Sequence, residues 1–181
     1  MCEYGKNNRK IFIKNNIISL AEYLQSDDWD CYNLWLDEEV QKGYNHKFNE
    51  TFEEYSQSEY KSLWNAIIIL NDSGELIGEI GVSEVNDLQL PDLSIRIFKQ
   101  YRSRGLGTMA FSMSAKYCFD VLKLDKIYAG CYPDNIKSRK MIEKCCFIPH
   151  PEGNVEEKHY ITGEPVTQFD FVLTRENWQN L

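Results

Sequence analysis

The sequence lacks paired cysteines and clustered histidines. None of its six cysteines stands in a Cys-x-x-Cys pair, and the three histidines, His46, His150 and His159, do not show the spacing of metal ligands. Zinc sites are usually built from cysteines and histidines a few residues apart, and disulfides persist in oxidising compartments. We therefore expect no metal, no disulfide and a cytoplasmic location.

Long apolar runs and an excess of positive charge are also missing. No apolar run approaches the roughly 20 residues that cross a bilayer, and Met1 to Lys6 lacks the apolar core of a signal peptide. The net charge of −8 disfavours nucleic acid as the main partner, because a surface that binds phosphate backbones is basic. We expect neither a membrane nor a nucleic acid as partner.

Carboxylates are concentrated in one segment. Residues 27–39 contain six of them and no Lys or Arg. A solvated helix face accounts for such a cluster, and so does the attraction of a cationic substrate. Both interpretations stay open at this point.

The apolar pattern predicts one α/β domain over residues 1–181. Thr51 and Glu54 form a capping-box motif, which predicts the start of a helix. Asn71 to Gly74 lies between two apolar runs, which is typical of a β-hairpin. The predicted strands cover 10–19, 66–70, 75–85, 93–98, 126–131, 155–161 and 165–173, and the predicted helices cover 28–36, 51–62, 104–122 and 135–145. One apolar stripe marks the third helix: Leu106, Met109, Ala110, Met113, Tyr117 and Val121.

A glycine motif between the strand at 93–98 and the long helix carries the strongest functional signal. It reads Arg102-Ser103-Arg104-Gly105-Leu106-Gly107. The glycines allow a tight turn with uncovered N–H groups, and the following helix directs its positive dipole end to the same place. This combination predicts an anion site that can hold a pyrophosphate. A tight turn without a ligand is the alternative.

Two common phosphate-binding loops do not fit this motif. No Gly-Lys-Ser/Thr follows the glycines, so the P-loop lysine and magnesium ligand are missing. The third glycine and the downstream ribose-binding acid of a dinucleotide fold are missing as well. The sequence therefore favours another phosphate-bearing ligand.

The spacing Arg102-x-x-Gly105-x-Gly107 resembles motif A of the GNAT superfamily of acetyl-CoA-dependent N-acetyltransferases. Residues 132–138 (Tyr-Pro-Asp-Asn-Ile-Lys-Ser) and 142–147 (Ile-Glu-Lys-Cys-Cys-Phe) resemble a second family motif. Residues 34–40 and 170–178 are similar to passages of the ribosomal-protein alanine acetyltransferase branch, the latter to its closing strand. The resemblance covers nearly the whole chain in the family's order.

The resemblance implies a mixed, mostly antiparallel sheet with a splayed strand pair and flanking helices, and acetyl-CoA as co-substrate without a metal. The pantetheine arm then lies along the strand that contains Ile97 and Phe98 and bonds Asn135, while Ser138 lies near the thioester sulfur. The pyrophosphate is held by a segment that we name the glycine loop: Arg102, Ser103, Arg104, Gly105, Leu106, Gly107 and Thr108.

The resemblance also suggests catalytic groups. A carboxylate can take the proton of an ammonium. Asp92 matches a position where relatives often place a glutamate, and Glu79 on the preceding strand is the second candidate. The alternatives are a turn role for Asp92, a solvent-facing Glu79, and a neutral amine that needs no base. A strand N–H near Ile97 or Phe98 is the predicted donor to the oxyanion.

Two positions depart from the family pattern. Ile142 replaces a tyrosine that serves as the acid in many relatives, so Ser138 is the predicted substitute, with a plain helix-cap role as the alternative. Cys146 replaces a glycine, and we interpret it as a small core residue.

The acceptor is predicted to bind in the aromatic N-terminal third, where Trp29 and Trp35 can hold an ammonium through cation–π contacts. Plain core packing is the alternative for such residues. The leading hypothesis is an N-acetyltransferase for a primary amine: a protein N-terminus, a polyamine or an aminoglycoside-like cation. A non-catalytic acyl-CoA-binding regulatory module is the second hypothesis, and O-acetylation or a longer acyl donor the third. A homodimer is compatible with the implied fold.

Overall fold

The computed structural model describes residues 3–4, 9–58, 62–84 and 91–179, with only the backbone described for 3–4. Ten strands form two sheets, the first antiparallel in the order β1-β2-β3-β4-β5-β6 and the second β7-β10-β8, with β9 also paired to β10. The strands are β1 (Glu3–Tyr4), β2 (Lys10–Lys14), β3 (Ile18–Ala21), β4 (Ser62–Leu70), β5 (Leu76–Ser83), β6 (Leu93–Ile97), β7 (Lys126–Cys131), β8 (Ile148–Pro149), β9 (Val155–Lys158) and β10 (Pro165–Thr174).

In the described residues, six α-helices flank these sheets. They are α1 (Asp28–Trp35), α2 (Glu38–Gly43), α3 (Phe52–Gln57), α4 (Leu106–Asp120), α5 (Ile136–Lys144) and α6 (Arg175–Gln179). Within the described part of the chain, no helix is long and apolar enough to span a bilayer.

The first predicted strand, 10–19, is in fact two strands. The Asn15 side chain accepts hydrogen bonds from the N–H groups of Ile17 (2.8 Å) and Ile18 (2.9 Å). This local turn, in which an asparagine side chain replaces a backbone acceptor, reverses the chain. β2 and β3 therefore pair with each other rather than forming one extended segment.

The predicted helix after Thr51 is confirmed at its start but not at its end. Thr51 and Glu54 form the reciprocal bonds of a capping box. α3 ends at Gln57, and β4 already begins at Ser62, so the predicted end at residue 62 was wrong. The strand predicted to reach Val85 is described only to Ser83 (β5), and Val85 lies outside the described residues.

Four short elements were not predicted, and β1 is one of them. The Asp37 side chain accepts from the Glu39 N–H and begins α2. β8 adds two residues to the edge of β10, and α6 begins at Arg175, inside the segment that resembles a closing strand.

α4 packs its apolar stripe on the first sheet. Leu106, Ala110 and Tyr117 are buried in the main core, and Phe171 and Leu173 of β10 join the same cluster. Val121 is 55% exposed because α4 ends one residue earlier, at Asp120. That residue of the predicted stripe therefore does not belong to the core.

The two sheets meet where β6 and β7 begin side by side. A parallel bridge joins Asp92 to Tyr128, and the Tyr128 N–H donates to the Pro91 carbonyl at 2.9 Å. Beyond this bridge β6 pairs with β5 and β7 pairs with β10, so the two strands diverge. This is the splayed strand pair that the resemblance implied, and it opens a cleft between the sheets.

Candidate active site

The cleft contains a cavity of about 480 Å³ between β6, the start of α4, α5 and α2. The structure brings together many of the predicted site residues there: Asp92, Ile97, Arg102, Ser103, Gly105, Gly107, Thr108, Asn135 and Ser138. Phe98, Arg104 and Leu106 do not line it. Leu106 is a buried core residue, and Arg104 stacks its guanidinium 5.6 Å from the ring of Tyr101.

The glycine loop leaves the N-terminus of α4 open. Ser103 and Gly105 both have positive φ, 61° and 79°, and no side chain caps the helix. The first helical bond runs from the Met109 N–H to the Gly105 carbonyl, so earlier N–H groups have no partner within the helix. A Cβ at Gly105 would meet nothing within 4 Å. The loop therefore presents free donors and a positive dipole end to the cavity.

Arg102 is committed to protein partners. Its guanidinium donates to the Ile97 carbonyl at 2.7 Å, to Asp37 at 2.8 Å and to Glu39 at 2.9 Å. These bonds tie α2 to the glycine loop. The Arg102 side chain therefore shapes the loop and leaves the backbone N–H groups of the loop uncovered.

The register of β6 decides which backbone groups face the cleft. The N–H of Phe98 donates to the Ile77 carbonyl at 3.0 Å, and even-numbered residues thus pair with β5. Phe98 is for this reason not a free oxyanion donor, which corrects that part of the prediction. The odd-numbered residues point the other way, and the carbonyls of Ile95 and Ile97 accept from Tyr44 (3.0 Å) and Arg102. Their N–H groups remain directed at the cleft.

The start of α5 lies across the cleft. Asn135 caps this helix because its Oδ1 accepts from the Ser138 N–H at 3.1 Å. Ser138 is half-buried with its side chain at the cavity. Ile142 is 1% exposed and lines the same wall, so this helix presents no hydroxyl at the position of the family's tyrosine. Three lysines of α5, which the sequence reasoning missed, also line the cavity: Lys137, Lys140 and Lys144.

Asp92 has the electrostatics of a proton acceptor. Burial and the nearby charge of Asp170 raise the pKa of Asp92 to about 7, and the backbone of Gly130 acts weakly in the opposite direction. A base is most useful when its pKa lies near the working pH. The structure thus favours the proton-acceptor interpretation of Asp92 over a simple turn role.

Glu79 does not face solvent and does not reach the cavity. It is 8% exposed and bonds the Arg96 guanidinium at 2.6 Å. Arg96 lines the cavity and stacks 4.2 Å from the Trp35 ring and 5.3 Å from the Tyr44 ring. Glu79 therefore holds Arg96 in place. Trp35 supports that arginine from behind and does not line the cavity itself.

Trp29 does not line the cavity. It is 56% exposed and packs edge-on against Phe52 with ring centres 4.9 Å apart. Tyr44, which no motif identified, contributes to the cavity instead. An aromatic-rich sequence does not show which ring turns inward, because that depends on how α1 and α2 pack on the sheet.

The acidic segment is mostly paired. Asp27 bonds Arg9, Asp28 accepts from the Tyr23 hydroxyl, and Asp37 and Glu39 bond Arg102. These carboxylates form contacts that stabilise the fold. Their pairing disfavours the interpretation that the cluster attracts a cationic substrate. Among the described residues, no group of three or more His, Cys, Asp or Glu could hold a metal ion.

Comparison with known proteins agrees with this geometry. A family model described as an acetyltransferase (GNAT) domain matches residues 20–148. A probable N-acetyltransferase of Bacillus subtilis (strain 168), YjcK, is 31% identical over 90 residues, which is 49% of this chain and 49% of that protein. The match thus spans about half the length of this relative.

Solved structures share the fold over nearly the whole chain. A GNAT-family acetyltransferase from Bacillus anthracis is 21% identical with a TM-score of 0.74, over 91% of this chain and 98% of that one. The spermidine N-acetyltransferase from Vibrio cholerae in complex with CoA and spermine is 19% identical with a TM-score of 0.77, over 92% and 100%. At such identities the likeness shows the fold alone. The matching family model covers most of the chain and agrees with the open glycine loop and the splayed strands. The chain therefore belongs to the GNAT family of acetyltransferases.

Proposed function

We propose that the protein transfers the acetyl group of acetyl-CoA to a primary amine by direct attack in a ternary complex. The observation that carries this proposal is the meeting of three features in one cavity. These are the uncapped N-terminus of α4, the cleft-facing N–H groups of β6, and a carboxyl group whose pKa lies near neutrality. They suit a pyrophosphate, an oxyanion and an ammonium, respectively.

The chemistry follows from these groups. Asp92 takes a proton from the bound ammonium, and the neutral nitrogen attacks the thioester carbonyl. The N–H of Ile97 or Ile95 stabilises the oxyanion that forms. The intermediate then expels the coenzyme thiolate and its nitrogen loses a second proton, which passes to the thiolate, because a thiol has a pKa of about 8.5 and is the weaker acid of the two. Ser138, half-buried at the cavity wall, is the candidate group to relay this proton.

The acceptor is proposed from chemistry and likeness together. A polyamine is the first compound to test, because a spermidine N-acetyltransferase has the same fold over 92% of this chain. A protein N-terminus, as for the ribosomal-protein alanine acetyltransferase branch, and an aminoglycoside-like cation are the next two. O-acetylation or a longer acyl donor would require a differently shaped pocket. Cytoplasmic location and a homodimer stay predictions, and sedimentation of the purified chain tests the second.

A non-catalytic acyl-CoA-binding module is the second candidate. It is favoured by Ile142, which presents no hydroxyl where many relatives have their acid. Release of free coenzyme thiol with a panel of amines separates the candidates. The enzyme turns over with at least one amine, whereas the module binds acetyl-CoA and releases no thiol above the rate without an amine.

Donor binding is tested with two matched glycine variants. Gly105 and Gly163 both have positive φ, 79° and 72°, and open space around the missing Cβ. Gly105→Glu and Gly163→Glu therefore carry the same charge and a similar strain of about 1 kcal/mol. In titration calorimetry with acetyl-CoA, we expect Gly105→Glu to bind at least about 100-fold more weakly, because its carboxylate meets the pyrophosphate. Gly163→Glu should bind like the wild type. Equal binding by both variants would remove the proposal.

A further inference from the structure

A second carboxylate, that of Asp170, lies on β10, which pairs with β7 on the side away from Asp92. A parallel bridge joins Asp92 to Tyr128 of β7, and Asp170 of β10 is paired in register with Gly130, two residues further along β7. The two aspartates thus lie on opposite sides of β7, and the charge of Asp170 acts on Asp92. Gln168, two residues before Asp170 on the same face of β10, reaches the cavity.

Asp170 is held in a fixed position. Its carboxylate bonds His150 Nδ1 at 2.8 Å, and its side chain is 12% exposed. Its N–H donates to Asn154 Oδ1 at 2.9 Å, and its carbonyl accepts from the His150 N–H at 2.9 Å. A Cβ at Gly153 would overlap the carboxylate, so the turn after β8 leaves room for it only with glycine.

Few charges compensate this pair. In the portions of the chain that the structure describes, neither Asp92 nor Asp170 forms an ion pair with a Lys or Arg. On the far side of His150, Glu152 lies 3.7 Å from Nε2 and its side chain is 92% exposed, and the ring of Tyr128 lies 5.4 Å away. Asp170 therefore acts on Asp92 as a nearby negative charge in a partly dry site.

We propose that Asp170, fixed by His150, is a positioning residue that makes Asp92 a stronger proton acceptor for the acetyl transfer. The inference rests on the proposed function, in which Asp92 takes the proton of the amine. The physical cause is repulsion between two negative charges. While Asp170 is charged, the protonated form of Asp92 is favoured. Burial raises the pKa of Asp170 as well, and the bond from His150 opposes part of this rise, which favours the charged form of Asp170.

A purely structural role predicts a different result. In that case Asp170 and His150 hold the turn after β8 against β10, and their loss lowers stability without changing the proton affinity of Asp92. The two roles are separated by a direct titration of Asp92, which does not depend on turnover.

The experiment is a carbon-13 NMR titration of the carboxyl groups in the full chain, with a pH profile of kcat/KM in parallel. Asp170→Asn keeps the size of the side chain and an acceptor for His150 but removes the charge. We expect the titration midpoint of Asp92 to fall by about one pH unit. The midpoint of the acid limb of the kcat/KM profile should shift to lower pH by the same amount. Asp120→Asn, the same change on an exposed carboxylate paired with Lys116, should move neither.

His150 is tested by two variants. His150→Phe removes the hydrogen bond to Asp170, and we expect the Asp170 midpoint to rise, because that bond lowers the pKa of Asp170. His150→Gln can still donate from its amide and should restore most of the wild-type value. If Asp170→Asn does not fold, Asp170→Ser provides the same neutral substitution.

The outcomes are distinct. An Asp92 midpoint that stays at the wild-type value in folded Asp170→Asn overturns the inference. A midpoint that falls while the kcat/KM profile stays unchanged supports the coupling of the two carboxylates but removes Asp92 as the base, and with it that part of the proposed function.

Discussion

At the scale of single residues, Asp92 lowers stability at neutral pH because burial and the charge of Asp170 disfavour its ionised form. In the unfolded chain an Asp ionises near pH 3.9, whereas burial and Asp170 raise the pKa of Asp92 to about 7 in the folded protein. Between these values the folded state binds more protons than the unfolded state. Its stability therefore falls as pH rises through this window, and the penalty is complete above pH 7.

Replacing Asp92 by Asn tests both consequences. At pH 8 we expect Asp92→Asn to be more stable than the wild type by about 1 to 4 kcal/mol in urea unfolding, with the difference disappearing towards pH 4. Turnover should fall about 100-fold or more because the proton acceptor is lost. Asp120→Asn is the control and should show neither a comparable gain nor the loss. A variant that is less stable than the wild type at pH 8 would contradict the assignment.

Cys146 occupies a conformation that suits glycine. Its φ is 66°, and it lies one residue past Cys145, the C-cap of α5. Helices commonly end with a glycine in this left-handed region because a Cβ is strained there. The family's glycine at this position thus has a structural reason, and Cys146 is half-buried against the main core.

Cys146→Gly should therefore stabilise the protein by about 1 kcal/mol in chemical denaturation, with unchanged binding of acetyl-CoA. The neighbouring Cys145→Gly is the matched control. Cys145 has a φ of −89° and is 4% exposed, so its replacement should destabilise through lost packing and added backbone freedom. The same sign of change for both variants would disprove the explanation.

At the scale of elements, α2 is attached to the glycine loop by one arginine. Asp37 and Glu39 both bond Arg102, but their side chains are 22% and 59% exposed. Burial alone would raise the pKa of Asp37, yet the bonds from Arg102 and the Glu39 backbone lower it. This carboxylate therefore contributes stability above pH 4 that is lost as acid protonates it.

Double-mutant cycles should rank these two pairs. We expect a coupling free energy of about 1 kcal/mol between Arg102 and Asp37 and about 0.3 kcal/mol between Arg102 and Glu39, because solvent weakens the more exposed pair. Unfolding at pH 7 with Ala at each position provides the measurement. Equal couplings, or a larger one for Glu39, would show that burial does not set the strength of this attachment.

At the scale of the whole molecule, we propose that bound acetyl-CoA supplies hydrogen-bond partners to the edge of β6 that diverges from β7. Amide hydrogen exchange tests this one residue at a time. With acetyl-CoA bound, the N–H groups of Ile95 and Ile97 should exchange at least about tenfold more slowly, because they gain a partner. Ser94 and Arg96 already pair with β5 and serve as internal controls. Equal protection of all four amides would indicate general stiffening rather than pairing along the strand.

Local signals in the sequence predicted several elements correctly, and nine of the predicted site residues line the cavity. The capping box of Thr51 and Glu54 predicted the start of α3, and the turn at Asn71 to Gly74 predicted the hairpin of β4 and β5. The glycine loop was predicted as an anion site because a tight turn and a helix start depend only on neighbouring residues. The resemblance to GNAT enzymes extended this to the order of strands and to the splayed pair.

Other features depend on residues far apart in the chain. Local backbone geometry was enough to predict the glycine loop, the strand that precedes it and the helix that follows. The packing of the folded chain brings Arg102 to Asp37 and Glu79 to Arg96, and it places Asp92 near the charge of a residue 78 positions later. Such pairings arise when sheets and helices pack, and the proton affinity of Asp92 is a property of that packing.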